Sequence, residues 1–259
     1  MIYRIWLPIV PLMFGNGAPW HLALGYEDLP LASGQNDFDY NDWVVNISST
    51  VSYAAASPGL MRKIDMSFVP QAKGGSYEHN FQIRFRAQVF PGNGVAVLTR
   101  YDQNHQVLSV ETRRFDGSID NVFTLFPATS EVFPGYAVNA IESNGVMPPQ
   151  RYADLSITLD APVPFNLSAD GLSAPHGQGL FFDPILNVLN TGDAIHAGDL
   201  RLLTVPASAW VWPEETVRLD LAYPLVGYTP GNPPAFTFPS FWWVSHNHCV
   251  FDGVACGAP

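Results

Sequence analysis

Lysine is almost missing from this sequence. Only Lys63 and Lys73 occur, and with arginine they make 12 basic residues against 23 acidic ones. The resulting formal charge of −11 provides no basic patch for a phosphate backbone, which argues against nucleic-acid binding. Cysteine is equally sparse. Cys249 and Cys256, in "CVFDGVAC", are too few for a structural zinc site and wrongly spaced for a redox CxxC. A local disulfide closing a small loop is the expectation, and with it an oxidising, extracellular setting.

Long apolar runs are missing as well. None approaches the ~20 residues that a membrane-crossing helix needs. No G-x-S-x-G, phosphate-binding loop or HExxH occurs, so the common signatures of acyl transfer, nucleotide binding and zinc proteolysis are absent. Paired carboxylates of the glycosidase kind leave no sequence signature, because such partners meet in space and not in sequence. The chain is read as non-enzymatic. No helical pattern of ten residues and no internal repeat is found.

What the chain has in quantity is apolar residues and turn formers. Hydrophobic residues make up 47% and aromatics 13%, enough to bury a real core. The 21 glycines and 23 prolines suit many short strands joined by turns. Strands are expected at 20–26, 42–55, 63–72, 80–90, 121–128, 151–163, 181–190, 200–207 and 216–223. Residues 94–115 read as a hairpin turning at "DQNH". Residues 129–150 and 166–179 read as long loops, and 227–247 as extended and irregular. The fold class is all-β, an immunoglobulin-like β-sandwich with room for an inserted second β-subdomain. Three regions are expected: an N-terminal extension (1–18), the sandwich (19–245) and a disulfide-closed tail (246–259).

The extension, "MIYRIWLPIVPLMFGNGAP", has the outline of a secretory signal. Arg4 would be its basic start, residues 5–14 its apolar stretch and Ala18 its small residue before cleavage. Pro8 and Pro11 break the helix that such a stretch would form. The alternative is a retained strand. Ile2, Tyr3, Ile5, Trp6, Leu7, Ile9 and Val10 are apolar on both faces, which suits a strand buried on both sides. Fourteen extended residues reach on the order of 45 Å. The strand either folds back into its own sheet or completes the sheet of a neighbouring copy, which would propagate into a filament.

"GQNDFDYNDW" (34–43) concentrates acids in a chain that is only 14% charged. Asp37, Asp39 and Asn41 alternate, and Asp42 follows. Hard cations such as calcium take six to eight oxygens, so this stretch is half a site. It begins like an EF-hand loop but has Asp42 where the glycine belongs and Ser48 where the glutamate belongs. Glu27 and Asp28, in "YEDLP", are near enough in sequence to add ligands. The alternative is a solvated polar turn.

"YEDLP…DFDYNDWVV" resembles the opening signature of LruC-domain proteins, a family of bacterial exported and surface proteins. Weaker matches follow in order: "AKGGSYEHNFQIRF" (72–85), "FFDPILNV" (181–188), "AIHAGD" (194–199) and "WPEETVRLDLAYP" (212–224). The resemblance covers about residues 22–244. It implies a β-rich exported domain, calcium held by Glu27, Asp28, Asp37, Asp39, Asn41 and Asp42, and no catalysis. The apolar N-terminal segment and the cysteine-bearing tail depart from the pattern and are where an assembly role would lie.

Lesser candidates complete the reading. Asn46-Ile47-Ser48 and Asn166-Leu167-Ser168 are N-glycosylation sequons. His246 and His248 have a spacing seen in some metal sites but no third ligand. Asp116, Asp120 and Asn121 suit a turn better than a second cation site. Trp242 and Trp243 could form a carbohydrate platform but suit a core better. The function expected is a structural subunit of an extracellular filament made of copies of itself. The alternative is a monomeric calcium-binding adhesin or glycan-binding module.

Overall fold

The structure is a computed structural model that describes residues 20–30, 36–87, 90–141, 147–164, 180–205, 210–231, 235–239, 241–246 and 250. The candidate assembly strand Ile2–Val10, the cysteines Cys249 and Cys256, His248 and the sequon at Asn166 lie outside the described residues.

Thirteen strands and short helical turns follow in order: β1 (Trp20–Tyr26), β2 (Trp43–Ala54), β3 (Ser57–Ala72), β4 (His79–Phe85), β5 (Gly94–Asp102), β6 (Val107–Phe115), β7 (Asn121–Phe126), β8 (Arg151–Pro164), β9 (Asp183–Val188), β10 (Asp193–Ile195), β11 (Leu202–Val205), helix α1 (Leu219–Ala222), β12 (Gly227–Thr229) and β13 (Ala235–Thr237). They form an antiparallel sheet ordered β11-β1-β2-β3-β8-β5-β6, a second ordered β10-β9-β4-β7, and a ribbon, β12-β13. The two larger sheets make an all-β sandwich.

Alternation builds the sandwich. In β4 every other residue is buried, and Phe81, Ile83 and Phe85 point inward. Phe81 meets Tyr26 and Trp43 from the facing sheet. Trp43 packs its ring against Phe81, Phe126 and Phe133. β1 is buried along nearly its whole length because its other face is covered too. There Ala23, Val44, Leu203 and Val205 join Trp210, Trp212, Leu219, Tyr223 and Trp242 in a second core. The β12-β13 ribbon lies against this second core, the cap core, through Phe236.

Residues 227–247, read as irregular, contain β12 and β13, β10 was not expected, and two expected strands differ. Residues 216–223 contain α1 where a strand was expected. Leu219, Ala222 and Tyr223 are buried while Leu221 is exposed, a three-and-four spacing that seats one helical turn on the cap core. The strand expected over 80–90 ends at Phe85. The hairpin of β5 and β6 does turn at Asp102–His105, where Asp102 Oδ1 accepts the amides of Asn104 and Gln106 at 2.8 Å. Asp116 and Asn121 likewise form a turn: Asp116 Oδ1 accepts the Ser118 amide, and Asn121 Nδ2 donates to the Asp116 carbonyl.

Asp183 ties β9 to β4 and to the loop after β10. Its carboxylate, 1% exposed, accepts from Arg84, from Arg86 at 3.1 Å and from the Ala197 amide at 2.8 Å. Burial would raise its pKa, but the Ala197 amide and the two guanidinium groups outweigh that and hold it below 3.8. A carboxyl depressed on folding stabilises above its unfolded value, and that contribution is lost as pH falls through the folded value. Asp183→Asn is expected to cost about 1.5–3 kcal/mol at neutral pH. It should also flatten the acid limb of a stability–pH profile followed by urea unfolding.

Candidate metal centre

Four chain segments converge at one end of β1. Glu27 and Asp28 follow β1 directly. Residues 36–42 lead into β2, residues 73–79 connect β3 to β4, and residues 213–217 enter the cap. Main-chain bonds hold the segments together. The Asp42 amide donates to the Tyr26 carbonyl at 3.1 Å, the Gly74 amide to the Asn41 carbonyl at 2.8 Å, and the Leu219 amide to the Phe38 carbonyl at 3.0 Å.

The acidic loop is wound in an uncommon way. Phe38 and Tyr40 lie at φ 59° and 58°, the left-handed region that bulky residues avoid. Their rings enter the cap core against Phe236. This winding leaves Asp37, Asp39 and Asn41 for the opposite side. Thr216, at φ 67°, is a third such residue at the site. Its amide donates to Asp39 Oδ2 at 2.8 Å. Strain of this kind persists only where surrounding contacts enforce it.

Of the six ligands expected from sequence, the structure brings all into one cluster. Oxygens of Glu27, Asp37 and Asp39 lie within 4.8 Å of one another, and so do those of Glu27, Asp28 and Asp42. Asn41 is fully buried beside them, its Nδ2 donating to the Pro213 carbonyl at 3.1 Å. Asp28 receives His79 Nε2 at 2.9 Å, while its own amide donates to Asp42 Oδ2 at 2.7 Å. One participant was missed from sequence: Glu215, in "WPEETV". Only the weak resemblance over 212–224 touched it, and it lies far from the acidic loop in the chain.

The electrostatics call for positive charge. Burial, and then Asp42, Asp39 and Asp37, push the Glu27 carboxyl well above the usual carboxylate range. Burial does the same to Asp39, reinforced by Asp42, Asp37 and Glu215, and to Asp42, reinforced by Asp28. Asp37 is raised, chiefly by burial, and Glu215 is pushed up to about 7 by burial and by Asp37 and Asp28. A cation would remove this penalty by neutralising the group.

The residues present fit a hard cation. Glu27 Oε2, Asn41 Oδ1 and Glu215 Oε2 are buried with no hydrogen-bond partner, although buried oxygens are ordinarily satisfied. The approach of residues 73–79 is just as telling. A Cβ at Gly74 would overlap Asn41 Oδ1 and lie 2.7 Å from Glu215 Oε2. One at Gly75, itself at φ 61°, would lie 2.8 Å from Asp42 Oδ1. Two adjacent glycines thus let the backbone come close to the gathered oxygens. All the donors are oxygens, which suits calcium or magnesium and not zinc.

The other candidates fall elsewhere. Asn46 sits in β2 between β1 and β3 with its side-chain oxygen buried, a poor position for a bulky glycan. Trp242 is 2% exposed, inside the cap core. His246 faces Tyr223, ring centroids 6.0 Å apart. Among the described residues no helix is long and apolar enough to cross a membrane.

The chain matches no family model and no curated protein sequence. Among solved structures it is similar to a "putative lipoprotein" from Bacteroides ovatus, with a TM-score of 0.52 and 13% identity over 80% of this chain and 69% of that one. At that identity the likeness speaks to the fold alone. An arabinose-bound α-L-arabinofuranosidase matches over 56% of this chain and 24% of its own, at 11% identity and a TM-score of 0.20, too low to carry an argument.

Proposed function

We propose that this protein is a calcium-stiffened, non-catalytic structural subunit that works outside the cytoplasm. The observation that carries the reading is the cluster of Glu27, Asp28, Asp37, Asp39, Asp42 and Glu215, with partnerless oxygens on Glu27, Asn41 and Glu215. Irregular loops that offer only oxygens favour calcium over magnesium, which demands near-octahedral geometry and keeps its waters. Extracytoplasmic calcium is plentiful enough to fill such a site. The fold shared with a protein described as a "putative lipoprotein" is in keeping with that setting.

The same reading makes the subunit part of a fibre, and the sheet edges support this. At the β7 edge, Arg100 donates to the carbonyls of Thr124 and Leu125, and Arg113 donates to that of Val122. Those main-chain acceptors are thereby occupied. Among the described residues β6 pairs only with β5, and it carries Val107, Leu108 and Val110, which are 59%, 48% and 59% exposed. An unpaired apolar edge is a template for another strand. The strand it would receive is Ile2–Val10 of a neighbouring copy.

Electron microscopy of the purified protein in calcium tests this. Fibres are expected from the full chain and none from a variant lacking residues 1–14 or carrying Val110→Lys. Fibres from the truncated protein would overturn strand donation. A full chain that stays monomeric at high concentration would point to the adhesin reading.

A further inference from the structure

We infer that the acidic centre holds two calcium ions bridged by Glu27. This inference rests on the calcium reading above and goes beyond it in the number of ions and in which residues serve each.

The geometry divides the ligands. One group is Glu27, Asp37 and Asp39, and the other is Glu27, Asp28 and Asp42. In each group the oxygens lie within 4.8 Å of one another, and Glu27 alone belongs to both. A carboxylate has two oxygens and can give one to each of two ions. Glu27 is 1% exposed, and its Oε2 has no hydrogen-bond partner. The glycines that line the cluster are also divided. Gly74 abuts Asn41 Oδ1 and Glu215 Oε2, whereas Gly75 abuts Asp42 Oδ1 and Asp28 Oδ2. The backbone therefore approaches one set of oxygens at Gly74 and another at Gly75.

Charge leads to the same number. Glu27, Asp28, Asp37, Asp39, Asp42 and Glu215 carry six negative charges when ionised. One calcium leaves four of them. The groups that could offset them are few: Lys73, whose Nζ donates to the Gly135 carbonyl at 2.9 Å, and the His79 ring, hydrogen-bonded to Asp28. Two ions leave two charges, within reach of those groups and of the donors already in place, such as the Thr216 amide on Asp39. Buried charge left unbalanced is costly, so the fuller site is favoured.

The test counts ions on folded protein. The full chain is dialysed to equilibrium against calcium chloride, and bound calcium is measured by elemental analysis. Two ions per chain are expected. Asp37→Asn alters a partly exposed residue of the first group only, and Asp28→Asn one of the second group only. Each variant should bind a single ion at the concentration that saturates the full chain. Circular dichroism of each variant checks that the fold survives. One ion per chain in the unsubstituted protein overturns the bridged pair and leaves the calcium reading standing. No bound calcium overturns both.

Discussion

Excess EGTA is expected to lower the melting temperature of the purified protein by about 8–16 °C. The size follows from mass action. A ligand present at a thousand times its dissociation constant adds about 4 kcal/mol to the folded state. For a chain of this size each kcal/mol is worth roughly 2–4 °C. The sign follows from the site: without the cation, Glu27, Asp39 and Asp42 are buried against one another and must take up protons or separate. The cap should respond first, because Asp39 and Asn41 bind it through the Thr216 amide and the Pro213 carbonyl. Its tryptophans, Trp210, Trp212 and Trp242, make near-ultraviolet circular dichroism a direct report. Restoring calcium should reverse the change, and magnesium should do so poorly. An unchanged melting temperature would leave residues 37–42 as a polar turn.

Gly74→Ala is expected to weaken calcium binding by placing a methyl group among the oxygens of the site. The new Cβ would overlap Asn41 Oδ1 and crowd Glu215 Oε2 and the Asn41 carbonyl, which lie at 2.7 and 3.1 Å. The carbonyl is main chain and accepts the bond from the Gly74 amide, so it cannot swing aside without breaking that link. Overpacking of this kind costs about 1–3 kcal/mol. If the cost falls on the bound state, calcium affinity drops roughly ten- to a hundredfold. The comparison is Gly59→Ala. Gly59 lies at φ 93° with open space around it, so its substitution strains the backbone without touching the site. Calorimetric titration of the two variants separates them: Gly59→Ala keeps the affinity of the unsubstituted chain. Equal affinity in Gly74→Ala would mean that Asn41 and Glu215 lie outside the coordination shell.

The sandwich was readable where side chains alternate. β2, β4 and β8 show burial every second residue, and that pattern is written in sequences such as "NFQIRF". Residues 216–223 misled because Val217, Leu219 and Leu221 also alternate. One helical turn won because Leu219, Ala222 and Tyr223 together fill the cap core, a tertiary preference that the local pattern does not contain. The acidic residues of the cluster between 27 and 42 were readable as a group because they are neighbours in sequence. Glu215 was not, since nothing local sets it apart from any exposed glutamate. The left-handed winding at Phe38 and Tyr40 was equally hidden, for aromatic residues give no hint of it.

The bond from the Thr216 amide to Asp39 spans 177 residues of chain. A ribosome releases the acidic loop long before the glutamate that closes the nest around it. A protein cut short before Glu215 would carry most of the negative charge and lack the last oxygen and the cap that shelters it. On the proposed calcium reading, tight capture would therefore wait until the segment around Glu215 and Thr216 has been made and has folded back onto Asp39.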